Sequence, residues 1–225
     1  MDYFSEGRLS DSPYIEMIWQ GRVQNNYAPV CPADTRWNLL ITRQNGKVRV
    51  CVEGATTQAV FKYQPEGSDF FVIKFKLGTF MPYLLPRHLL NGDSILPQAA
   101  HKSFWLNGFA WEFPDYDNAE VFVERLVHND LLIRDPVVKA VLQNEPQDMS
   151  FRTVRRRFLH TTGLTYNAIQ QIELAQRANV LLEQGISILD TVDQAGYADQ
   201  PHLTRSMKRF IGFTPSQIAR VKLLE

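Results

Sequence analysis

The sequence has little or nothing of several features that mark other classes of protein. Cys31 and Cys51 are the two cysteines among 225 residues, too few for a disulfide framework and without the spacing of a metal site. No apolar run approaches the roughly 20 residues of a membrane-spanning helix, and the first residues lack the basic start and apolar stretch of a signal peptide. These absences predict a reduced, cytoplasmic protein that holds no metal and enters no membrane.

Net charge predicts no partner, because 24 basic residues balance 24 acidic ones. The distribution is uneven, since residues 1–133 carry 12 Lys and Arg against 15 Asp and Glu, whereas residues 134–225 carry 12 against 9. Four basic residues of the second part stand close together, namely Arg152, Arg155, Arg156 and Arg157. Such a cluster indicates a surface that faces a polyanion, and a solvated helix face is the ordinary alternative.

The first half of the sequence has the pattern of a β-rich domain. Strands are predicted at Tyr14–Trp19, Trp37–Thr42, Val48–Val52, Ala59–Tyr63 and Asp69–Phe75. Asn45-Gly46 predicts a tight hairpin, because these residues accept the positive φ angles of a two-residue turn. Prolines break the stretch from Pro82 to Pro114 into short pieces. Helices are predicted over 118–128 and, from Asp135-Pro136, to about residue 143.

The second part changes to a helical period. Four predicted helices begin at a residue whose side chain can cap them, namely Ser150, Thr165, Ser187 and Asp199, and Thr214-Pro215 begins a final short helix. Inward positions are predicted to include Phe151, Val154 and Phe158 after Ser150, and Ile188, Leu189, Val192 and Ala195 after Ser187. The expected class is α+β, a β-rich N-terminal domain followed by an all-α module.

The segment Ser187–Phe210 has the layout of a helix-turn-helix, with two amphipathic helices around a glycine-containing turn. The second helix offers outward side chains that reach base edges and phosphates: Gln200, His202, Thr204, Arg205, Lys208 and Arg209. The Ser150 helix offers Arg152, Arg155 and Arg156. A linking helix of roughly 20 residues measures about 30 Å, near the ~34 Å between successive major grooves. A helical bundle with solvated polar faces is the alternative from residue types alone.

A specific motif narrows these alternatives. Residues 196–218 read Gly-Tyr-Ala-Asp-Gln-Pro-His-Leu-Thr-Arg-Ser-Met-Lys-Arg-Phe-Ile-Gly-Phe-Thr-Pro-Ser-Gln-Ile, and residues 150–158 read Ser-Phe-Arg-Thr-Val-Arg-Arg-Arg-Phe. Over about residues 148–220 the chain resembles AraC/XylS-family transcription regulators. The resemblance implies two helix-turn-helix units joined by a long helix, in a DNA-binding domain placed at residues 134–225. It implies transcriptional regulation at a promoter, with neither catalysis nor a cofactor.

The expected partners are double-stranded promoter DNA and RNA polymerase. Phosphate contacts are expected from Arg157, Lys208 and Arg209. Base contacts are expected from Arg152, Arg155, Arg156, Gln200, His202, Thr204 and Arg205. Two features depart from the family pattern: Leu174 stands where the linking helix usually carries Arg, and the helix Val137–Gln143 lacks the usual Ala-to-Gly turn after it. The first unit is therefore expected to be irregular.

Residues 1–133 carry no specific motif, and two interpretations of them stay open. Family members often have an N-terminal β-rich domain that binds a small-molecule effector or forms a homodimer. Ten aromatic side chains are interpreted chiefly as core: Trp19, Trp37, Phe70, Phe71, Phe75, Phe80, Trp105, Phe109, Trp111 and Phe113. Arg36, Arg43 and Arg87 are candidates to hold an effector carboxylate, and no effector site is assigned.

Rival classes find little support in the residues. His88, His101 and His128 are too widely spaced to indicate a metal-dependent barrel enzyme. Cys31-Pro32 lacks the basic neighbours that would activate a sensor thiol. For the whole chain, the alternative is an interaction protein that antagonises another regulator without reading DNA. The outward Thr204, Arg205 and Lys208 favour DNA.

Overall fold

The computed structural model describes residues 3–143, 145–146 and 148–222. Within it the chain divides into two compact units. Unit 1 comprises the described residues of Met1–Tyr27, Arg36–Ala55 and Tyr63–Thr165, and unit 2 comprises those of Ala28–Thr35, Thr56–Lys62 and Tyr166–Glu225. Unit 2 therefore takes two short segments from the first half of the sequence. The boundary between residues 133 and 134 stays a prediction about domains that fold independently.

Strands occupy most of the described first half. They are β1 (Tyr3–Leu9), β2 (Ile15–Val23), β3 (Val30–Cys31), β4 (Asn38–Gln44), β5 (Lys47–Glu53), β6 (Val60–Phe61), β7 (Asp69–Phe75), β8 (Thr79–Phe80), β9 (Asp93–Leu96), β10 (Gln98–Ala100), β11 (Ser103–Leu106), β12 (Phe109–Glu112) and β13 (Ile133–Arg134). Six make one antiparallel sheet in the order β1-β2-β7-β4-β5-β9, and three make a second in the order β10-β11-β12. β8 pairs with β13 in unit 1, and β3 pairs with β6 in unit 2.

The predicted hairpin is confirmed. Asn45 and Gly46 have φ angles of 49° and 74° and join β4 to β5. The predicted strand Ala59–Tyr63 is shortened to the two residues of β6. β1 and the short strands β3 and β8–β13 were not predicted. β1 is an exposed edge strand and so lacks an apolar face, while the others are too short to show a clear period.

Aromatic side chains form much of the core of unit 1, as predicted. Trp37 stacks on Phe75 with ring centroids 3.9 Å apart, and its indole Nε1 donates a hydrogen bond to the carbonyl oxygen of Thr79 at 2.6 Å. That bond satisfies the polar atom of a buried indole. Two aromatics depart from the core interpretation, since Trp105 and Phe109 are 46% and 64% exposed.

The described helices of the second part begin where the sequence predicts. All the described helices are α1 (Ala119–His128), α2 (Pro136–Leu142), α3 (Phe151–Thr162), α4 (Tyr166–Glu183), α5 (Ile188–Ala195), α6 (Gln200–Phe210) and α7 (Pro215–Lys222), with a short 3-10 helix at Pro86–His88. Ser150, Ser187 and Asp199 each accept a hydrogen bond from the backbone N–H three residues on, which confirms these caps. None of the described helices combines the length and the apolar character that crossing a membrane requires.

Two apolar side chains predicted to face inward lie in solvent instead. Phe151 is 95% exposed and Leu189 is 69% exposed, whereas Phe158 and Val192 of the same helices are buried. Both exposed residues stand in the first turn of a helix. Helical periodicity does not reveal whether a neighbouring element extends far enough to cover that turn, and this is why the prediction was wrong.

An ion pair ties the edge strand β1 to α1. The two Nη atoms of Arg8 donate hydrogen bonds to the two carboxylate oxygens of Glu120 at 2.5 and 2.7 Å, and Ser10 Oγ donates another at 2.9 Å. The bonds from Arg8, more than that from Ser10, lower the pKa of the Glu120 carboxyl to about 2. The charged form of Glu120 therefore stabilises the fold.

We expect Glu120→Gln to lower the free energy of unfolding by about 1 to 2 kcal/mol at neutral pH, because charge-assisted bonds are lost at a partly exposed site. Glu120 has a lower pKa folded than unfolded, so its stabilisation is complete above about pH 4.5 and disappears as the pH falls toward 2. Denaturation measured across this range should show the difference shrinking. Glu124→Gln, at an exposed position of the same helix, is the control and should change little.

Candidate nucleic-acid interface

Helix α3 is held in unit 1 by its buried face. Ser150 Oγ accepts a hydrogen bond from the Thr153 N–H at 3.3 Å, and Gly163 ends the helix with a φ angle of 74°. Phe158 is fully buried, and α3 packs against α2, β8 and the 3-10 helix at Pro86–His88. A Cβ at Gly163 would lie 3.0 Å from the backbone of that 3-10 helix, so a residue without a side chain is needed there. These contacts fix which face of α3 points outward.

The outward face of α3 carries three of the four predicted arginines. At 100° per residue, an arc of about 140° contains Phe151, Arg155, Leu159, Arg152 and Arg156, in that order. All five are exposed, and together they line one open depression on the surface. The structure therefore brings Arg152, Arg155 and Arg156 together as the sequence predicts, and places two apolar side chains among them.

Arg157 lies on a different side of α3. Its Nη1 is 3.3 Å from Oδ1 of Asp135, and that carboxylate also caps α2 by accepting from the N–H groups of Val137 and Val138. Arg157 thus joins α3 to the residue that caps α2. The predicted contact of Arg157 with a DNA phosphate stays a prediction. In the structure its side chain forms the ion pair with Asp135.

Helix α6 is built in the same way in unit 2. Asp199 Oδ1 accepts a hydrogen bond from the His202 N–H at 2.6 Å, and Leu203 and Met207 are fully buried. The hydroxyls of Tyr197 and Ser206 are hydrogen-bonded at 2.8 Å. Burial raises the pKa of the Tyr197 hydroxyl, so the group stays neutral. Its hydrogen bond to Ser206 connects the turn before α6 to the helix itself.

The predicted contact residues of α6 divide into a central group and an edge. Gln200, Thr204, Lys208 and Arg205 fall within one outward arc of about 140°, and Lys208 Nζ also donates to the carbonyl oxygen of Gly212 at 3.2 Å.

The other two predicted residues lie beside that arc. His202 is half-buried, with its ring edge-on to Tyr197 at 5.0 Å. Arg209 is exposed, with its guanidinium 4.9 Å from the Phe210 ring centroid. Both are therefore restrained by aromatic neighbours at the margin of the outward face.

The two helices correspond at a constant offset of 49 residues. Ser150 and Asp199 are the caps, and Gly163 and Gly212 follow the helix ends with φ angles of 74° and 90°. Between these points the corresponding outward positions differ in chemistry: Phe151 and Leu159 of α3 match Gln200 and Lys208 of α6. The same offset of 49 residues is present in the sequence. It could have been used to align α3 with α6 residue by residue and so to predict which positions of the two helices face outward.

Sequence reasoning missed that the first half of the chain completes the end of α6. Within unit 2, the N–H groups of Ala33 and Ala59 donate to the carbonyl oxygens of Phe210 and Arg209 at 2.7 and 2.9 Å. Gln176 Nε2 on α4 donates to the carbonyl oxygen of Ala33 at 2.7 Å. The last carbonyls of a helix have no partner within the helix, so these bonds satisfy groups that would otherwise need water. No local sequence pattern in residues 28–35 or 56–62 predicts that their backbone N–H groups bond to the end of α6.

Helix α4 joins the two helix-turn-helix units. It has 18 residues and therefore measures about 27 Å, slightly shorter than predicted. Ile169, Ile172, Ala175, Ala178 and Leu182 are buried along it, as the periodicity predicts. Leu174, which replaces the family's usual Arg, is half-buried.

The other candidate residues of the first half do not form a recognisable site. Arg36 is ion-paired with Glu16, and Arg43 and Arg87 are exposed. Within the described residues, His, Cys, Asp and Glu side chains form no group of three that could hold a metal ion. Cys31 is half-buried on β3.

Comparison with known proteins places the two helices in a known domain. Residues 147–220 match the family described as "Helix-turn-helix domain". The HTH-type transcriptional regulator RipA of Corynebacterium glutamicum is 32% identical over 88 residues, which are 38% of this chain and 27% of the relative. The match thus spans about a quarter of that relative's length.

Two solved structures of ToxT from Vibrio cholerae share 10% identity with the chain. Their TM-scores are 0.38 and 0.39, with 98% and 97% of each chain covered.

The capped helices with their exposed basic faces and the family match define a double helix-turn-helix protein. Residues 147–220 therefore form a helix-turn-helix domain, and the chain is similar to part of a helix-turn-helix transcriptional regulator.

The close approach at Gly212 gives a test of the packing in unit 2. A Cβ on Gly212 would lie 2.4 Å from Val30 Cγ1, whereas one on Gly196 would meet nothing within 4 Å, although both glycines have φ near 90°. We expect Gly212→Ala to destabilise the protein by about 1 to 3 kcal/mol more than Gly196→Ala, because overpacking adds to the shared backbone strain. Denaturation followed by circular dichroism compares them. Equal losses would mean that Val30 does not pack there.

Proposed function

We propose that the chain is a sequence-specific regulator of transcription that reads promoter DNA with α3 and α6 in successive major grooves. One observation carries the proposal: two capped helices each bury one face and present arginines on the other. The 27 Å of α4 is near the ~34 Å spacing of grooves on one side of the duplex. The proposed DNA-binding domain is residues 134–225; the described part of residues 166–225 forms unit 2 together with the segments 28–35 and 56–62.

The exposed faces supply both kinds of contact that a DNA reader needs. Arginine forks pair with the O6 and N7 acceptors of guanine, and Gln200 offers the amide that pairs with adenine. Lys208, Arg209 and the helix N-termini suit phosphates. Affinity should therefore fall steeply with salt, because each phosphate contact releases counterions.

We further propose that the predicted domain of residues 1–133 modulates DNA binding through a small-molecule effector. What supports this is the path of the chain, since residues 28–35 and 56–62 belong to unit 2 while the segments on either side belong to unit 1. A ligand that shifts β2, β4 or β5 would displace the adjoining segments 28–35 and 56–62, whose backbone N–H groups donate hydrogen bonds to the end of α6. We also propose that the protein acts in the cytoplasm, that it contacts RNA polymerase at the promoter, and that it forms a homodimer.

Arg205 tests sequence reading. It is exposed at the edge of the central group on α6, and we expect Arg205→Ala to weaken binding to the preferred site by about 1 to 3 kcal/mol and to random DNA much less. Binding isotherms on both duplexes measure the difference. Arg177→Ala removes an exposed arginine of α4 that lies on neither face, and should leave the preference unchanged. Equal losses on both duplexes would make Arg205 a phosphate contact.

The effector proposal is tested by thermal-shift screening of the full chain against metabolites. A ligand at a hundredfold excess over its Kd should stabilise the protein by about 2.7 kcal/mol and should also change promoter affinity, because coupling between two sites is reciprocal. Sedimentation run in parallel reports self-association. A tight dimer in which no ligand alters melting or affinity would leave assembly as the role of residues 1–133.

A further inference from the structure

Phe151 is the most exposed large apolar side chain on the proposed DNA-reading faces. It is the first residue of α3, directly after the Ser150 cap, and 95% of it faces solvent. Exposed phenylalanine is unfavourable in water, because its apolar surface is fully hydrated. Its neighbours around the same depression are Arg152, Arg155, Arg156 and Leu159.

The chemistry of this face is restricted in a way that the face of α6 is not. Arginine side chains are donors only, and Phe151 and Leu159 have no polar side-chain atoms, so the face contains no side-chain hydrogen-bond acceptor. On α6, Gln200 and Thr204 can accept as well as donate. The amino groups of adenine and cytosine need an acceptor, and the five side chains of this face of α3 have none to offer them.

Two kinds of chemical group in the major groove can be recognised by a face that offers only hydrogen-bond donors and apolar surface. Guanine presents two acceptors, and thymine presents a 5-methyl group that apolar side chains contact. A protein partner is the competing occupant of an exposed phenylalanine, but three arginines on the same narrow face favour a polyanion.

We propose that Phe151 reads the 5-methyl group of a thymine in the half-site bound by α3, beside guanines contacted by the arginines. The inference rests on the proposed function and adds to it an asymmetry: α3 selects a thymine methyl group in addition to guanines, while α6 selects through hydrogen bonds alone. Phe151 would be a specificity residue of the first helix-turn-helix unit.

The test starts with the full chain and random-sequence duplex DNA, from which repeated selection yields the preferred site. Each thymine of that site is then replaced singly by deoxyuridine, which pairs identically and lacks only the methyl group. Affinity should fall roughly fourfold at one thymine of the α3 half-site, the equivalent of about one buried methyl group. Phe151→Ala should abolish that difference, and Phe151→Leu should keep part of it.

Phe109→Ala removes another exposed phenylalanine, on β12, and is the matched control, in which the methyl effect should persist. A methyl effect that survives Phe151→Ala, or an α3 half-site without any methyl effect, would overturn the inference while leaving DNA reading intact. Failure to enrich any sequence would instead overturn the proposed function, and the inference with it. Loss of partner-protein binding in Phe151→Ala, with an unchanged DNA preference, would assign the residue to a protein interface.

Discussion

The last carbonyl groups of α6 need donors that the helix cannot supply. Ala33 and Ala59 provide them at 2.7 and 2.9 Å, and Gln176 ties the Ala33 segment to α4. Gly212 leaves room for Val30 at the point where a Cβ would approach it to 2.4 Å. The orientation of the second recognition helix therefore depends on residues more than a hundred positions earlier in the chain.

The two recognition helices share a local design but differ in their supports and in their chemistry. α3 packs within unit 1 against the 3-10 helix at Pro86–His88 and β8, whereas α6 packs within unit 2 against α4 and the segments 28–35 and 56–62. One face offers arginines and apolar groups, and the other offers amide, hydroxyl and cationic groups. A chain with two such faces suits an asymmetric DNA site better than a palindromic one.

Local signals in the sequence were sufficient for the hairpin, the caps and the buried side of α4 and α6. The Asn45-Gly46 turn and the Ser150 and Asp199 caps depend on conformations that few residue types favour, so the pattern and the structure agree. Side-chain direction at helix ends was less predictable, as Phe151 shows. The union of residues 28–35 with α6 was not predictable, because backbone hydrogen bonds between distant segments leave no mark on composition.

The central claim is that one chain reads two successive major grooves. Hydroxyl-radical footprinting of the full chain on its selected duplex tests this most directly. The account predicts two protected segments on one face of the DNA, about 10 base pairs apart, from a complex with one chain per site. A single protected groove at that stoichiometry would contradict the account, because it would mean that only one of α3 and α6 docks.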